Sequence, residues 1–235
     1  MVIDYLKQYL SEYGIPLNEE QLSKLERYAF LLKEWNEKIN LTAITDDEGI
    51  ATKHFLDSIA LLKNTEFPIG AKVADVGTGA GFPGIVLKIA RPDLKISLID
   101  SLQKRITFLD TVCRELGLEI KTYHLRAEDA GHEKDLRETF DVVTARAVAS
   151  LPALCEYCLP LCKVGGFFVP MKTADIEKEI SESENAMKLL GGEADIPRIY
   201  ELPVAGSRGI VKIQKVIPTP EKYPRQRIKI TAKPL

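Results

Sequence analysis

A glycine-rich segment constrains the fold more than any other feature of this sequence. It runs from Val73 to Gly84 and carries glycines at positions 77, 79, 81 and 84. Glycine has no Cβ, so the backbone can turn tightly there and approach a ligand closely. Pro83 suits the first turn of a helix, where its missing N–H costs nothing. The segment therefore predicts a strand, a tight turn and a helix, in the order typical of sheets that bind nucleosides.

The chain beyond this turn alternates between strand and helix patterns. Strands are predicted at 72–76, 95–100, 119–123, 140–144 and 167–170, and helices after the glycine turn and at 102–116, 151–162 and 175–190. Residues 200–202 and 210–217 are expected to form a hairpin pair. Repeated strand–helix units give a mostly parallel sheet with helices on both faces. The fold class is therefore α/β.

Two helices are predicted before the sheet. Asn18 can cap a helix over 21–38, and Asp46 or Asp47 can cap a second one that reaches Leu62. Pro68 and Gly70 mark the boundary that follows. We therefore expect a helical N-terminal extension over residues 1–69 and an α/β domain over residues 70–235.

Charge is distributed unevenly along the chain, although the net charge is only −2. The segment from Val204 to Leu235 holds eight lysines and arginines but one acidic residue, Glu221. The rest of the chain is correspondingly acidic. A basic edge attracts polyanions such as nucleic acids, whereas the alternative is a solvated tail that keeps the protein in solution.

The apolar and cysteine patterns exclude several classes of protein. The start of the chain has no basic segment followed by an apolar one, and the most apolar stretch, Val142 to Cys162, is broken by Arg146. We expect a cytoplasmic monomer with no membrane contact. Cys155, Cys158 and Cys162 could hold an iron–sulfur cluster. Their spacing also fits one buried helical face, so we expect free core thiols and no metal.

Asp100 ends the second strand, where an acidic side chain can accept both ribose hydroxyls of a nucleoside cofactor. A dinucleotide would use Gly79-x-Gly81-x-x-Gly84, but the carboxylate of Asp75 would repel its pyrophosphate. S-adenosylmethionine has no phosphate and carries a cationic sulfonium and ammonium. We therefore favour the methyl donor, with a glycine turn that binds no ligand as the alternative.

Six short motifs together resemble one known family. They are Trp35-Asn36 with Asn40-Leu41-Thr42-Ala43-Ile44, Lys53-His54-x-x-Asp57-Ser58, the Asp75–Gly84 loop, Asp100-Ser101-x-x-Lys104-Arg105, Arg126-Ala127-Glu128 and Thr144-Ala145-Arg146-Ala147. The pattern resembles the 16S rRNA (guanine-N7) methyltransferase G family, also called glucose-inhibited division protein B. The resemblance extends from about Trp35 to the C-terminus.

The resemblance implies a Rossmann-like class I methyltransferase with a mostly parallel seven-stranded sheet. It also implies S-adenosylmethionine as the cofactor and N7 of a guanosine in the 530 loop of 16S rRNA as the acceptor. The substrate would be the RNA itself or the ribosomal particle. At the end of the chain, Ile228 and Ile230 stand where the family usually has glycine and proline.

Cofactor-binding residues follow from the resemblance and from the loop. The resemblance implies contacts at Gly77, Phe82, Ala127, Glu128 and Arg146. The loop and the second strand add Asp75, Gly79, Gly81, Asp100 and Ser101.

Arg146 is the residue that we expect to act in catalysis. Guanine N7 has a free lone pair, so methyl transfer needs positioning and no general base. A guanidinium cannot act as a base at neutral pH, but it can bind a carboxylate, guanine O6 or a phosphate with two N–H groups. The alternative is an ion pair with a structural acid such as Glu128 or Asp129.

Several basic side chains are candidates for RNA contacts, with a solvated surface as the alternative. They are Lys104, Arg105, Lys172, Lys222, Arg225 and Arg227. His54 and Asp57 lie one turn apart on a predicted helix and form either an acid–base pair or a structural contact. Two other functions also fit parts of the pattern, a nicotinamide-dependent oxidoreductase and an RNA-binding protein without catalytic activity.

Overall fold

The computed structural model describes residues 1–146, 148–173 and 175–235. Ala147, part of the motif after the fourth strand, lies outside the described residues. The N-terminal part is helical, as expected. Its elements are α1 (Val2–Tyr13), α2 (Glu19–Ile39), α3 (Asp47–Gly49), a π-helix (Ile50–Leu56) and α4 (Asp57–Asn64).

Local sequence explains where α2 begins. The Asn18 side chain accepts from the Gln21 N–H over 2.9 Å, and the Gln21 side chain accepts from the Asn18 N–H over 2.8 Å. This reciprocal pair is a capping box. Helix α1 was not predicted, because Met1 offers no usual capping side chain. Leu6 and Leu10 of α1 are buried against the rest of the core, so tertiary packing holds that helix.

Within the described residues, the sheet contains nine strands rather than the expected seven. They are β1 (Lys72–Val76), β2 (Lys95–Asp100), β3 (Lys121–His124), β4 (Phe140–Arg146), β5 (Cys162–Thr173), β6 (Gly192–Ala194), β7 (Arg198–Leu202), β8 (Gly206–Ile210) and β9 (Ile213–Lys215). The order β3-β2-β1-β4-β5 is parallel throughout.

The extra strands arise from an interruption at Val211 and Lys212. Strands β8 and β9 both run antiparallel to the long strand β5, one beside each part of it. Strand β7 pairs with β8, and β6 pairs with β9. The nine strands therefore occupy seven positions across the sheet. The predicted hairpin is confirmed at its first strand, β7, but the assignment of residues 210–217 as the partner was wrong: β7 pairs with β8, and residues 213–215 form β9 beside β5.

Helices cover both faces of the sheet. They are α5 (Gly84–Ala90), α6 (Gln103–Leu116), α7 (Ala127–Ala130), α8 (Leu151–Cys158), a 3₁₀ turn (Leu159–Leu161), α9 (Ile176–Glu182), α10 (Glu184–Leu190) and α11 (Arg227–Ala232). Successive strand residues alternate between faces, so Val142 and Val143 enter two different apolar clusters. The N-terminal helices share the cluster that contains Val142.

The expected helix over 151–162 ends early. Helix α8 stops at Cys158, Pro160 lies in the 3₁₀ turn, and Cys162 begins β5, because proline cannot supply the N–H that a continuing helix needs. Cys155, Cys158 and Cys162 are all buried free thiols, and burial raises the pKa of each. The described residues contain no cluster of side chains suited to a metal ion.

Among the described residues, none of the helices has both the length and the apolar character needed to cross a membrane. The strand order places β1 and β4 side by side, with β2 and β3 beyond β1 and with β5 beyond β4. The chain thus moves outward from β1 in both directions. A crevice at the carboxyl ends of such strands is the usual binding site of an open α/β sheet.

Candidate functional site

The loop after β1 owes its shape to Asp75. Gly77, Gly79 and Gly81 all have positive φ, a conformation that glycine adopts without strain. The Asp75 carboxylate accepts from the Thr78 hydroxyl over 2.6 Å and from the Gly84 N–H over 2.9 Å. These bonds tie the start of the loop to the start of α5.

Asp75 is fully buried, and burial raises the pKa of its carboxyl to about 6. Its Oδ1 has no hydrogen-bond partner in the described part of the chain. The Thr144 hydroxyl, on the residue paired with Asp75 across β4, also has no partner there. Asp75 is not among the residues that line the cavity at the carboxyl ends of β1, β2 and β3; its hydrogen bonds order the loop that contributes Gly77 to that cavity.

A cavity of about 500 Å³ opens at the carboxyl ends of β1, β2 and β3. This volume lies in the range of small-molecule sites. Ile99 and Val148 supply apolar walls, and Asp100 and Glu128 supply acceptors. The further lining residues are Gly77, Ser101, Leu102, Arg105, Leu125, Arg126, Ala127, Ala149, Tyr157, Arg227 and Thr231.

Asp100 connects the second strand to the glycine loop. Its Oδ2 accepts from the Gly79 N–H over 2.9 Å and from Arg105 Nη1 over 3.3 Å, and its Oδ1 accepts from the Leu102 N–H over 2.9 Å. A Cβ added to Gly79 would meet nothing closer than the Gly77 carbonyl at 4.0 Å. The loop therefore leaves open space beside a carboxylate.

Arg146 stands at the end of β4. Its Nη1 donates to the Lys53 carbonyl over 2.9 Å and to Asp57 Oδ2 over 3.0 Å. Its guanidinium lies 5.1 Å from the centre of the Phe82 ring, a cation–π contact. Arg146 thus forms the ion pair with a buried acid that was expected as the alternative, but the acid is Asp57 of the N-terminal helices rather than Glu128 or Asp129.

His54 is a second partner of Arg146. Arg146 Nη2 lies 3.2 Å from His54 Nδ1, and a guanidinium only donates, so Nδ1 is the acceptor. His54 Nε2 then donates to the Thr42 hydroxyl over 2.9 Å. Burial, and then the charge of Arg146, lowers the pKa of His54 to about 3. The imidazole is therefore neutral, and its ring stacks 4.4 Å from Phe82.

Asp57 completes this cluster. Its carboxylate is 5% exposed, and its Oδ1 accepts from Arg208 Nε over 3.3 Å. His54 and Asp57 do not bond to each other in the described structure; both hold Arg146. Lys53 and His54 lie in the π-helix, a form of helix often found at functional sites. The roles of Thr42 and Arg208 were not predicted, because nothing in the local sequence signals these long-range contacts.

The six predicted RNA-binding side chains fall into two groups. Lys104, Lys222 and Arg227 are exposed. The other three are paired with acids: Arg105 with Asp100, Lys172 with Glu179 at 2.7 Å, and Arg225 with the fully buried Glu156 at 2.7 Å.

The predicted cofactor-binding residues also fall into two groups, those that line the cavity and those that do not. Gly77, Asp100, Ser101, Ala127 and Glu128 line the cavity. The other predicted residues do not line it: Asp75, Gly79, Gly81, Phe82 and Arg146. Phe82 is buried against Tyr28, Phe55 and His54.

Sequence comparison shows what this chain is similar to. Residues 21–199 match the GidB family, described as rRNA small subunit methyltransferase G. Two relatives carry the name ribosomal RNA small subunit methyltransferase G. The protein of Geobacillus thermodenitrificans (strain NG80-2) is 51% identical over 92% of each chain. The protein of Clostridium perfringens (strain 13 / Type A) is 46% identical over 99% of this chain and 98% of its own.

Solved structures with a similar fold have much lower sequence identity. A SAM-dependent O-methyltransferase from Thermotoga maritima matches with a TM-score of 0.53 and 15% identity, over 81% of this chain and 73% of its own. TrmN from Thermus thermophilus matches with a TM-score of 0.52 and 17% identity, over 68% of this chain and 48% of its own. At such identities the likeness shows the fold alone, and that fold is the Rossmann-like sheet of methyltransferases.

Proposed function

The chain belongs to the rRNA small subunit methyltransferase G family, and we propose that its acceptor is N7 of a guanosine in the 530 loop of 16S rRNA. The protein is an S-adenosylmethionine-dependent methyltransferase that acts on ribosomal RNA. One observation supports the choice of N7. The two titratable side chains that contact Arg146, His54 and Asp57, are both committed to hydrogen bonds. Neither side chain beside Arg146 is therefore free to act as a base, which suits an acceptor that already has a lone pair.

The residues at the cavity fit the cofactor. Asp100 would accept the ribose hydroxyls, with the Gly77–Gly79 turn beneath them. The open space at Gly79 and the acceptors of Asp100 and Glu128 suit a ligand that is cationic and carries hydroxyl donors. When bound, S-adenosylmethionine supplies an electrophilic methyl group on a sulfonium.

The protein contributes to the transfer by positioning the two reactants and by excluding water. Arg146 is 17% exposed, and its Nε–H and one Nη2–H have no hydrogen bond within the described residues. These donors would bind guanine O6, an RNA phosphate or the cofactor carboxylate. Asp57, His54 and the Lys53 carbonyl hold the guanidinium so that these donors stay aimed at the reacting groups.

RNA would be held around the mouth of the cavity. Exposed cations at Lys104 and Lys222 would contact phosphates, and the target base would enter as an unstacked loop nucleotide. Lys172 and Arg225 also carry charge, but their ion pairs give them the role of ordering the protein beside the RNA. Phosphate contacts of this kind make affinity fall with salt.

We extend the proposal to the organisation of the protein. Residues 1–69 supply Lys53, His54 and Asp57 to the site, so this extension would act as part of the catalytic unit with residues 70–235. The proposal includes a monomer that acts in the cytoplasm, where ribosomal RNA is modified. Light scattering during gel filtration tests the monomer.

Transfer of labelled methyl groups to RNA tests the proposed acceptor. We expect label in 16S rRNA or in the small-subunit particle, at one guanosine of the 530 loop. A matched RNA with 7-deazaguanosine at that position has a C–H in place of N7 and should take up no label. Label on the 7-deaza RNA, or at N1 or N2 of guanosine, would contradict the assignment.

A further inference from the structure

We infer that α11 closes the base end of the cofactor cavity, and that Arg227 and Thr231 contact the adenine of the cofactor. The inference rests on the proposed cofactor site. Both residues lie on the wall of the same cavity as Asp100 and Glu128. They come from a part of the chain far from the glycine loop in sequence.

Strand order indicates which end of the cavity would hold the base. The wall runs from Gly77, after β1, past Asp100 at the end of β2, to Glu128 beyond β3. Arg146, on the transfer side, ends β4, which lies on the other side of β1. If Asp100 holds the ribose, the methyl group lies toward β4 and the base lies toward Glu128.

Arg227 lies at this base end. The Tyr157 ring lines the same cavity, and burial is the main cause that raises the pKa of its hydroxyl. The charge of Glu128 adds to that rise and the charge of Arg227 opposes it. Both charges therefore act on Tyr157, and all three side chains line the same cavity.

Strong contacts fix the segment before α11. Arg225 donates to the buried carboxylate of Glu156 through its backbone N–H over 2.8 Å and its Nη2 over 2.7 Å. The Pro224 carbonyl lies 2.7 Å from His132 Nε2, and the Tyr223 carbonyl accepts from Arg137 over 2.8 Å. These hydrogen bonds fix the position of the chain just before α11 enters the cavity wall.

A buried apolar side chain packs α11 against the rest of the protein. Ile230 is fully buried in the cluster that also contains residues of α8. Arg227 and Thr231 are four residues apart, so they share one side of the helix. The Arg227 side chain is exposed and makes no hydrogen bond or ion pair among the described residues, whereas its carbonyl accepts from the Thr231 hydroxyl over 3.0 Å. Its planar guanidinium is thus available to stack on a heteroaromatic ring or to donate to ring nitrogens.

Calorimetric titration with S-adenosylhomocysteine, the demethylated cofactor, tests the inference on the full chain. Arg227→Ala should weaken binding by about 3- to 30-fold, the range of a cation–π contact. The matched control is Lys229→Ala, because Lys229 is exposed on the same helix but does not line the cavity. The control should bind within about twofold of wild type. Adenosine should show the same ratio, since the lost contact is with the base.

The outcomes separate the inference from the proposed function. If wild type fails to bind S-adenosylhomocysteine, the cofactor site itself is wrong. If wild type binds and Arg227→Ala binds equally well, or if Lys229→Ala weakens binding as much, only the inference is overturned. Thermal unfolding of each variant checks the fold, and Arg227→Ala should unfold at the wild-type temperature because its side chain is exposed.

A second readout needs no variant. Trypsin cleaves after Arg227 and Lys229, and both bonds lie in α11. Saturating S-adenosylhomocysteine should slow cleavage there, because a helix that contacts the ligand opens less often. Cleavage at an unchanged rate in the ligand-bound protein would contradict the inference.

Discussion

Arg146 donates to the Asp57 carboxylate over 3.0 Å, and this bond joins the end of a parallel strand to the N-terminal helices. The same carboxylate accepts from Arg208 on β8. One buried acid therefore holds two guanidinium groups from different parts of the sheet. The helical extension thus has a direct part in the geometry of the site.

Asp57→Asn should impair both folding and methyl transfer. The substitution removes the negative charge between two guanidinium groups, and breaking a buried ion pair costs about 3 kcal/mol of unfolding free energy. Methyl transfer should fall by about 100-fold, because Arg146 loses its position. Urea unfolding and single-turnover methylation measure the two effects.

The matched control is Glu34→Gln, which removes an exposed ion pair with Lys38 on α2. Its unfolding free energy should change by less than about 0.5 kcal/mol. If Asp57→Asn behaves like this control in both assays, the role of Asp57 is wrong.

His54 should remain neutral across the physiological range. Burial and the nearby Arg146 lower its pKa to about 3, so the folded protein resists protonation that the unfolded chain accepts near pH 6.5. The His54 ring signal in NMR, assigned by its loss in His54→Gln, should not shift between pH 8 and pH 5. A titration midpoint near 6.5 would show that the imidazole does not accept from Arg146.

Asp75 should make stability depend on pH in the opposite sense to an ordinary ion-paired acid. Its pKa is raised from 3.8 to about 6, so the folded state keeps a proton that the unfolded chain loses. The resulting stability is present below about pH 4 and is lost as pH rises through 6.

The asparagine in Asp75→Asn cannot ionise. The variant should therefore not lose stability from this position as the pH rises through 6. The unfolding free energy of wild type relative to Asp75→Asn should fall by up to about 3 kcal/mol between pH 4 and pH 7. Because other groups titrate equally in both proteins, their contributions cancel. A difference that stays constant over this range would mean that Asp75 titrates normally.

Lys222 and Lys172 should differ in RNA binding, although both are lysines of the predicted RNA set. Lys222→Ala removes an exposed cation and should lower the slope of log affinity against log salt by about 1. Lys172→Ala removes a cation that is already paired with Glu179, so the slope should stay the same. Filter binding of 16S rRNA at several salt concentrations measures both, with the exposed Lys188→Ala as a control outside the cavity. Equal slopes for all three variants would contradict the assignment of Lys222.

The sequence predicts features that depend on neighbouring residues along the chain. The turn at Gly77, the acid at the end of β2 and the cap at Asn18 all follow from local rules. Helix α1 was missed because its stability comes from burying Leu6 and Leu10 rather than from a cap. The split of one long antiparallel strand into β8 and β9 was missed for a similar reason, since only the paired strand β5 reveals it.

Pairing between distant side chains was the part of the site that the sequence could not predict. Arg146 was singled out from the sequence, but its acid partner comes from 89 residues earlier in the chain. Lys172 and Arg225 looked like free cations because their acid partners, Glu179 and Glu156, are brought to them only by folding. Charge counted along a sequence therefore overstates the cations that are available to RNA.

The most direct test of the account is calorimetric titration of S-adenosylhomocysteine into the wild-type protein and into Asp100→Ala. Asp100 is the carboxylate proposed to hold the ribose, and it also orders the loop through Gly79. We predict one molecule bound per wild-type chain and an affinity at least 10-fold lower for Asp100→Ala. Absence of binding to the folded wild-type protein, or equal affinity for the two proteins, would contradict the cofactor site on which the mechanism depends.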